Sequence, residues 1–485
     1  MEYTSTRNEQ ITVSASQAIV QGLSAEGGLF VPKAFPQISL PSLLGKSYPE
    51  LAAEILAQFL KDYPQDFLQA ATQQVYGSAF AGKAGYLHPV AEGLSSLELW
   101  HGPTCAFKDY ALQLMPRLLV QAKQNLHRTE TTRILVATSG DTGKAALEGY
   151  RDIPGVEITV FYPQDGTSAI QRLQMTTQAG ENVSVYAVKG NFDDAQTGVK
   201  RVFADKEIAA ELQQQDVCLS SANSINWGRL VPQIVYYFAA YFQLVQAGTV
   251  QLGQSVDFCV PTGNFGDILA GYYAKRMGLP VGCLVCASNQ NNVLTEFLTT
   301  GRYNARRPFY KTTSPSMDIL VSSNLERLLY HLTGSPAKVR EWMQQLAQEG
   351  SYQVDADTLH ALQQLFRCGC ADDDRAAQEI AAQYQENDYL CDPHTAVAFA
   401  VAGENRSAAP MIVLSTASPF KFPKSVLAAL QQPVPEADFA ALHALEDFSG
   451  AKAPQSLSEL ECKAERFSAV IAPGQIGAAA KHTLA

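Results

Sequence analysis

Beyond about residue 95 the chain alternates short apolar runs with amphipathic ones, and this alternation constrains the fold more than any other feature. SSLELW, RILVAT, EITVFYP, SVYAVKG, VDFCVPT and VGCLVCAS are separated by YALQLMPRLLVQA, GKAALEGY, SAIQRLQMTTQ, FDDAQTGVKRVFADK and ILAGYYAKRMG. Such an order predicts an α/β fold with two parallel-sheet domains and helices on both faces of each sheet. At 485 residues the chain is too long for a single core. The expected division is a helical N-terminal subdomain at 1–85, a first α/β domain at 86–235, a second with a helical insertion at 236–430, and a C-terminal cover at 431–485. The stretch from 301 to 405 reads as mainly helical, and PMIVLSTAS as the last strand.

Three of the apolar runs end in turns that invite a ligand. RILVATSGDTGKAALEGY leads through Thr138, Ser139, Gly140, Asp141, Thr142 and Gly143 into a helix. Backbone N–H groups and hydroxyls at such a helix start can cradle an anion, although a plainly capped helix is the simpler alternative. A nucleotide P-loop does not fit, because Thr138 stands where its first glycine belongs and Ala145 where its metal-binding hydroxyl belongs. SVDFCVPTGNFGDILAGYYAKRMG places Gly263, Asn264, Phe265, Gly266 and Asp267 at a second strand-to-helix turn. Its glycines free the backbone to bind phosphate, and it lacks the GxG of a dinucleotide site. MIVLSTASPFKF ends a third strand in Ser415, Thr416 and Ser418; alone, it reads as a turn.

HGPTCAFKDYALQ lies among these segments. A lysine is ordinarily solvated. A lysine with a phosphate-binding turn and a strand-end hydroxyl, however, is the set that pyridoxal phosphate requires: an amine for a Schiff base, an anchor, and a partner for the ring nitrogen. Lys108 is then the chemical centre.

Charge and composition narrow the partners. A net charge of -11 leaves no basic footprint for nucleic acid, so a small-molecule substrate is expected. The most apolar helix, LVPQIVYYFAAYFQLVQAG, is interrupted by Pro232, Gln233 and Gln243 and is too short to span a membrane. A start without a basic, apolar leader and nine scattered cysteines point to a cytoplasmic protein with reduced thiols. Neither Cys283 and Cys286 nor Cys368 and Cys370 form a metal site by spacing.

Taken together, YTSTR, EGGLFVP, HGPTCAFKDYALQ, TSGDTG, GNFDDAQ, SANSINWGR, PTGNFGDILAGYYAKRMG and STASPFKF resemble the threonine synthases, pyridoxal-phosphate enzymes of the tryptophan-synthase-β-like fold, in their longer bacterial and fungal form. The resemblance covers the first 430 residues. It implies that Lys108 carries the cofactor, that Gly263, Asn264, Phe265, Gly266 and Asp267 hold its phosphate, and that Thr416 faces the pyridine nitrogen. A hydroxyl there, unlike a carboxylate, would not keep that nitrogen protonated.

The anionic groups of the substrate would fall to Thr138, Ser139, Asp141 and Thr142, with Asn223, Asn226 and Arg229 as further candidates. The implied reaction converts O-phosphohomoserine and water to threonine and phosphate, in a monomer or homodimer. An amino-acid dehydratase or β-replacement enzyme of the same fold is the alternative within the class, and a non-catalytic phospho-ligand binder the alternative outside it. The chain departs from the family pattern at Ser418, where TASP stands in place of TAHP, and, as drift, at STRN in place of STRG.

Overall fold

The computed structural model describes residues 1–138, 140–164 and 167–481. Two sheets organise it. The smaller is wholly parallel, with strands in the order Val470–Ile471, Val183–Val188, Val156–Pro163, Thr131–Ala137 and Val217–Ser220. The larger runs Phe366–Cys370, Val281–Ser288, Val256–Pro261, Met411–Ser415, Leu94–Glu98 and Tyr86–Ala91, parallel except for the last, antiparallel edge. Every residue of Val183–Val188 and Val256–Pro261 is buried, as expected for strands covered on both faces.

Strand membership cuts across the expected boundaries. The hairpin Tyr86–Glu98, assigned by sequence to the first α/β domain, completes the larger sheet, and Val470–Ile471 from the C-terminal cover completes the smaller one. Sequence neighbourhood cannot settle which sheet edge a hairpin joins, because any unpaired edge offers the same backbone donors and acceptors. A strand also appears inside the stretch read as helical: Phe366–Cys370, parallel to Val281–Ser288 with Cys368 opposite Cys286. At five residues, interrupted by Arg367 and Gly369, it lacks the apolar run by which its neighbours were recognised.

The N-terminal subdomain combines the antiparallel sheet Tyr3–Ser5, Asn8–Val13 and Phe30–Pro32 with helices including Tyr48–Phe59 and Gln65–Tyr76. Ser47 starts the first of these helices, with the Glu50 carboxylate accepting its N–H and hydroxyl at 2.8 and 2.6 Å. Trp227 is fully buried between Tyr3, Phe59 and Tyr273, which joins the subdomain to the centre of the molecule. Among the described residues no helix is long and apolar enough to cross a membrane.

The helices Asp109–Leu112 and Asp141–Tyr150 approach so closely at Gly149 that a Cβ there would overlap the Leu112 carbonyl oxygen. Backbone cannot yield as a flexible side chain can. Gly149→Ala is therefore expected to cost about 1–3 kcal/mol of stability, seen as a lower denaturation midpoint.

Candidate active site

Leu94–Glu98, Met411–Ser415 and Val256–Pro261 lie close together in the larger sheet, and each delivers one of the motifs at its C-terminal end, where ligands collect in parallel sheets. The lysine loop follows the first strand. Its turn is closed by Asp109, whose carboxylate accepts the Thr104 N–H at 2.8 Å, the Thr104 hydroxyl at 2.7 Å and the Gln113 amide at 3.1 Å. Burial pushes the Asp109 carboxyl up to about 6 against these hydrogen bonds.

The loop is then zipped to the second strand end. The Phe107 N–H bonds the Thr416 carbonyl at 2.9 Å, Ala106 bridges Ala417, and the Ser418 N–H bonds the Cys105 carbonyl at 3.2 Å. Lys108 and Thr416 are thus neighbours through main-chain pairing. The Thr416 hydroxyl itself makes no hydrogen bond to the described residues and is free for a ligand.

At the third strand end, Phe265 adopts φ 65°, a strained conformation for an aromatic residue, while its ring is anchored against Phe366 at 5.8 Å. The turn leaves the N–H groups of Gly263, Asn264, Phe265 and Gly266 without an acceptor among the described residues. Four orphan donors at the start of the helix Gly266–Arg276 suit a phosphate, so the residues fit the cofactor's anchor. Asp267 differs from the other four. Its carboxylate accepts the Ile268 N–H at 2.9 Å and is buried, and burial pushes its carboxyl up to about 6, weakening its repulsion of an anion.

A segment spanning Ser314–Asn324 straps this turn. Ser322 donates to the Gly263 carbonyl at 2.7 Å, and the Asn324 N–H and side chain to the Asn264 carbonyl at 3.0 and 3.1 Å. Ser316 meets Lys108, whose amine donates to the serine hydroxyl at 3.2 Å; the hydroxyl in turn faces Asp141 at 3.4 Å. His394 holds the strap from behind. Its Nδ1–H bonds Asp392 at 2.6 Å, which leaves Nε2 to accept the Ser316 N–H at 3.1 Å.

The smaller sheet contributes Asp141, expected from sequence among the substrate-binding residues, and its carboxylate lies between two lysines. One oxygen accepts from Lys421 at 2.5 Å and the other lies 3.6 Å from the Lys108 amine. Burial alone would raise this carboxyl, but Lys421 and then Lys108 outweigh burial and hold it well below the usual carboxylate range. Burial lowers the Lys108 amine in turn; Asp141 opposes that, and Lys421 and Arg229 reinforce it.

Other substrate candidates also resolve differently. Thr138 spends its hydroxyl on the Gly140 and Gly143 N–H groups, both at 3.0 Å, and so caps the helix. Asn226 is committed to Gly228 N–H at 2.8 Å and the Ile19 carbonyl at 2.9 Å, a structural role. Asn223 is exposed, its side chain accepting from its neighbour Ile225 at 3.3 Å. Thr142 is half-buried, its hydroxyl without a hydrogen bond among the described residues, and Ser139 lies outside those residues.

Arg229 keeps its candidacy. It is 4% exposed, donates one N–H to the Ala222 carbonyl, and among the described residues leaves Nε unpartnered and meets no carboxylate. Burial lowers it to about 10, and a buried cation of this kind calls for an anion. Ser418 is fully buried and its hydroxyl accepts the Phe420 N–H at 3.4 Å, a local cap on the turn that carries Lys421.

Lys421, Ser316, Asp392 and His394 were not assigned from sequence. Lys421 stood in a quoted motif, but only its burial beside Asp141 gives it meaning.

Comparison with known proteins agrees with this geometry. Residues 97–370 match the family model described as pyridoxal-phosphate dependent enzyme, so the class defined by fold and site is that of the pyridoxal-phosphate enzymes. Residues 2–76 match the model for the threonine synthase N terminus and 395–475 that for the threonine synthase C-terminal region. The chain is 40% identical to the threonine synthase of Pseudomonas aeruginosa over 435 residues, 88% of this chain and 90% of that one. The crystal structure of pyridoxal-phosphate-bound threonine synthase from Brucella melitensis superposes with a TM-score of 0.90 at 38% identity, covering 99% of both chains. The chain belongs to the threonine synthase family. It is also 40% identical to human threonine synthase-like 1 over 86% of its own length, but spans only 58% of that longer protein.

The phosphate turn makes a direct prediction. A Cβ on Gly263 would sit 2.8 Å from the Ser316 carbonyl oxygen and push strap and turn apart. Gly263→Ala should weaken pyridoxal-phosphate binding about tenfold or more in a fluorescence titration, equivalent to about 1.4 kcal/mol.

Proposed function

We propose that this protein is a threonine synthase, converting O-phosphohomoserine and water to L-threonine and inorganic phosphate. The observation that carries the reading is the surplus of positive charge around Lys108. Lys421 and Arg229 act on Lys108 alongside Asp141 and Asp267; Asp141 is paired with Lys421 and burial weakens Asp267 as an anion, so the Arg229 charge is left over. A substrate bearing both a carboxylate and a phosphate suits that surplus, whereas the substrates of a dehydratase bring one anionic group fewer.

Bound pyridoxal phosphate supplies the electron sink for charge developing on the substrate's α-carbon. Lys108 anchors the cofactor. Once the substrate's amine has taken its place, the freed lysine amine would be positioned to take the proton from Cα, pass it on, take one from Cβ as phosphate leaves Cγ and return one at Cγ; water would then add its OH at Cβ and a proton would return to Cα. Burial favours the neutral amine that such a base needs. Ser316 accepts one N–H of that amine and so orients its lone pair.

Arg229 is the group we assign to a substrate anion, with Thr142 of the TSGDTG turn as a second candidate. The strap over Gly263 and Asn264 limits water until Cβ is ready to receive it. The same reading makes the enzyme a cytoplasmic monomer or homodimer, supported by nine unpaired thiols and an acidic chain acting on small metabolites.

The deciding assay supplies O-phosphohomoserine and follows both products. Equal amounts of phosphate and threonine are expected; an oxo acid with no threonine would instead favour the dehydratase. Lys108→Ala should lower turnover by about a thousandfold or more at unchanged secondary structure, as expected for loss of a positioned base and cofactor anchor. Arg229→Gln should raise KM about tenfold or more and affect kcat less, the signature of lost substrate binding.

A further inference from the structure

Lys421 is a fully buried lysine, its side chain 0% exposed, at the end of the short turn Pro419–Lys421. Its ammonium donates to Asp141 at 2.5 Å and to the Thr104 carbonyl at 3.2 Å, and no other carboxylate among the described residues pairs with it. Gln171 adds a second polar contact on the same Asp141 oxygen at 3.2 Å. The opposite oxygen faces Lys108 from 3.6 Å, with the Ser316 hydroxyl alongside.

Two ammonium groups therefore compete for one carboxylate, and the competition is unequal. Lys421 has the short, direct contact in the drier position. Lys108 has the longer one. A buried ammonium that lost Asp141 would stand uncompensated, so Lys421 holds the carboxylate tightly. Were Lys421 absent, Asp141 would be free to pair closely with Lys108 and stabilise its protonated form, which cannot act as a base.

We propose that Lys421 is a positioning residue that occupies Asp141 and thereby keeps the Lys108 nitrogen weakly basic enough to serve as proton acceptor. The proposal rests on the reading that Lys108 is the cofactor lysine. The charged groups facing Lys108 are Asp141, Lys421, Arg229 and Asp267; His394 faces Asp141, and Asp109 faces Lys421. Of these, Lys421 both repels Lys108 directly and engages Asp141. Its removal acts twice in the same direction.

The test is a pH titration of the visible absorbance of the full-length, cofactor-loaded protein. Its midpoint reports proton affinity at the lysine nitrogen without requiring turnover. Lys421→Met should move the midpoint upward by about one pH unit or more, the usual effect of releasing a carboxylate onto a neighbouring cation. Lys421→Arg, which keeps the charge, should move it back toward the wild-type value. Asp141→Asn should move it downward, and in that background Lys421→Met should produce a smaller shift than in the parent.

The acid limb of kcat/KM should follow the same order. An unchanged midpoint in Lys421→Met, or an equal shift in both backgrounds, overturns the proposal. If Lys421→Met does not fold, Asp141→Asn still decides: a midpoint that stays or rises means that Asp141 does not act on Lys108, and the proposal fails. A Lys108→Ala protein that keeps the parent absorbance band would show that another amine carries the cofactor, which overturns the underlying assignment and the proposal with it.

Discussion

The Asp141 carboxylate is the contact on which the site depends. It comes from the helix that follows a strand of the smaller sheet, and both of its partners come from the strand ends of the larger one. An ion pair between fully buried groups offsets its desolvation only when geometry is good and further hydrogen bonds complete it. Gln171, Ser316 and Thr104 provide those bonds. The same contact joins the two sheets and sets the charge next to the reactive amine, so structural and chemical demands meet on one side chain.

Around this contact the backbone does most of the positioning. Lys108 and Thr416 are brought together by main-chain hydrogen bonds between their segments, and the candidate phosphate site consists of main-chain N–H groups. Such groups lose little entropy on binding because the loop is already shaped. The left-handed conformations of Cys105 and Phe265, at φ 58° and 65°, mark where that shaping is forced on the chain. Strain of this kind is tolerated here because buried packing and strand pairing hold both residues in place.

Much of the fold was legible in the sequence because parallel strands covered on both faces must be apolar, and the helices between them must be amphipathic. The motifs were legible for a related reason: a strand-to-helix turn that exposes N–H groups requires glycine. Phe366–Cys370 escaped notice because a short edge strand carrying Arg367 and Gly369 lacks that apolar signature. The division of strands between sheets escaped because hairpin Tyr86–Glu98 could have joined either edge. The partners of Asp141 were hidden for a different reason. From sequence, a carboxylate in a glycine-rich turn looks like part of an anion cradle, and only the tertiary structure brings Lys421 to it from 280 residues away.

The sequence by itself determined the class of fold and pointed to the candidate cofactor lysine and the candidate phosphate turn, since each follows from a local pattern with a local physical cause. Tertiary structure decided how charge is distributed at the site. It alone set Arg229 without a carboxylate among the described residues, turned Ser418 into a local cap, committed Asn226 and Thr138 to the backbone, and gave Asp141 two cations. The physical reason is that the charge state and free hydrogen-bonding capacity of a side chain depend on burial and on partners distant in the chain, and neither is encoded in the residues beside it.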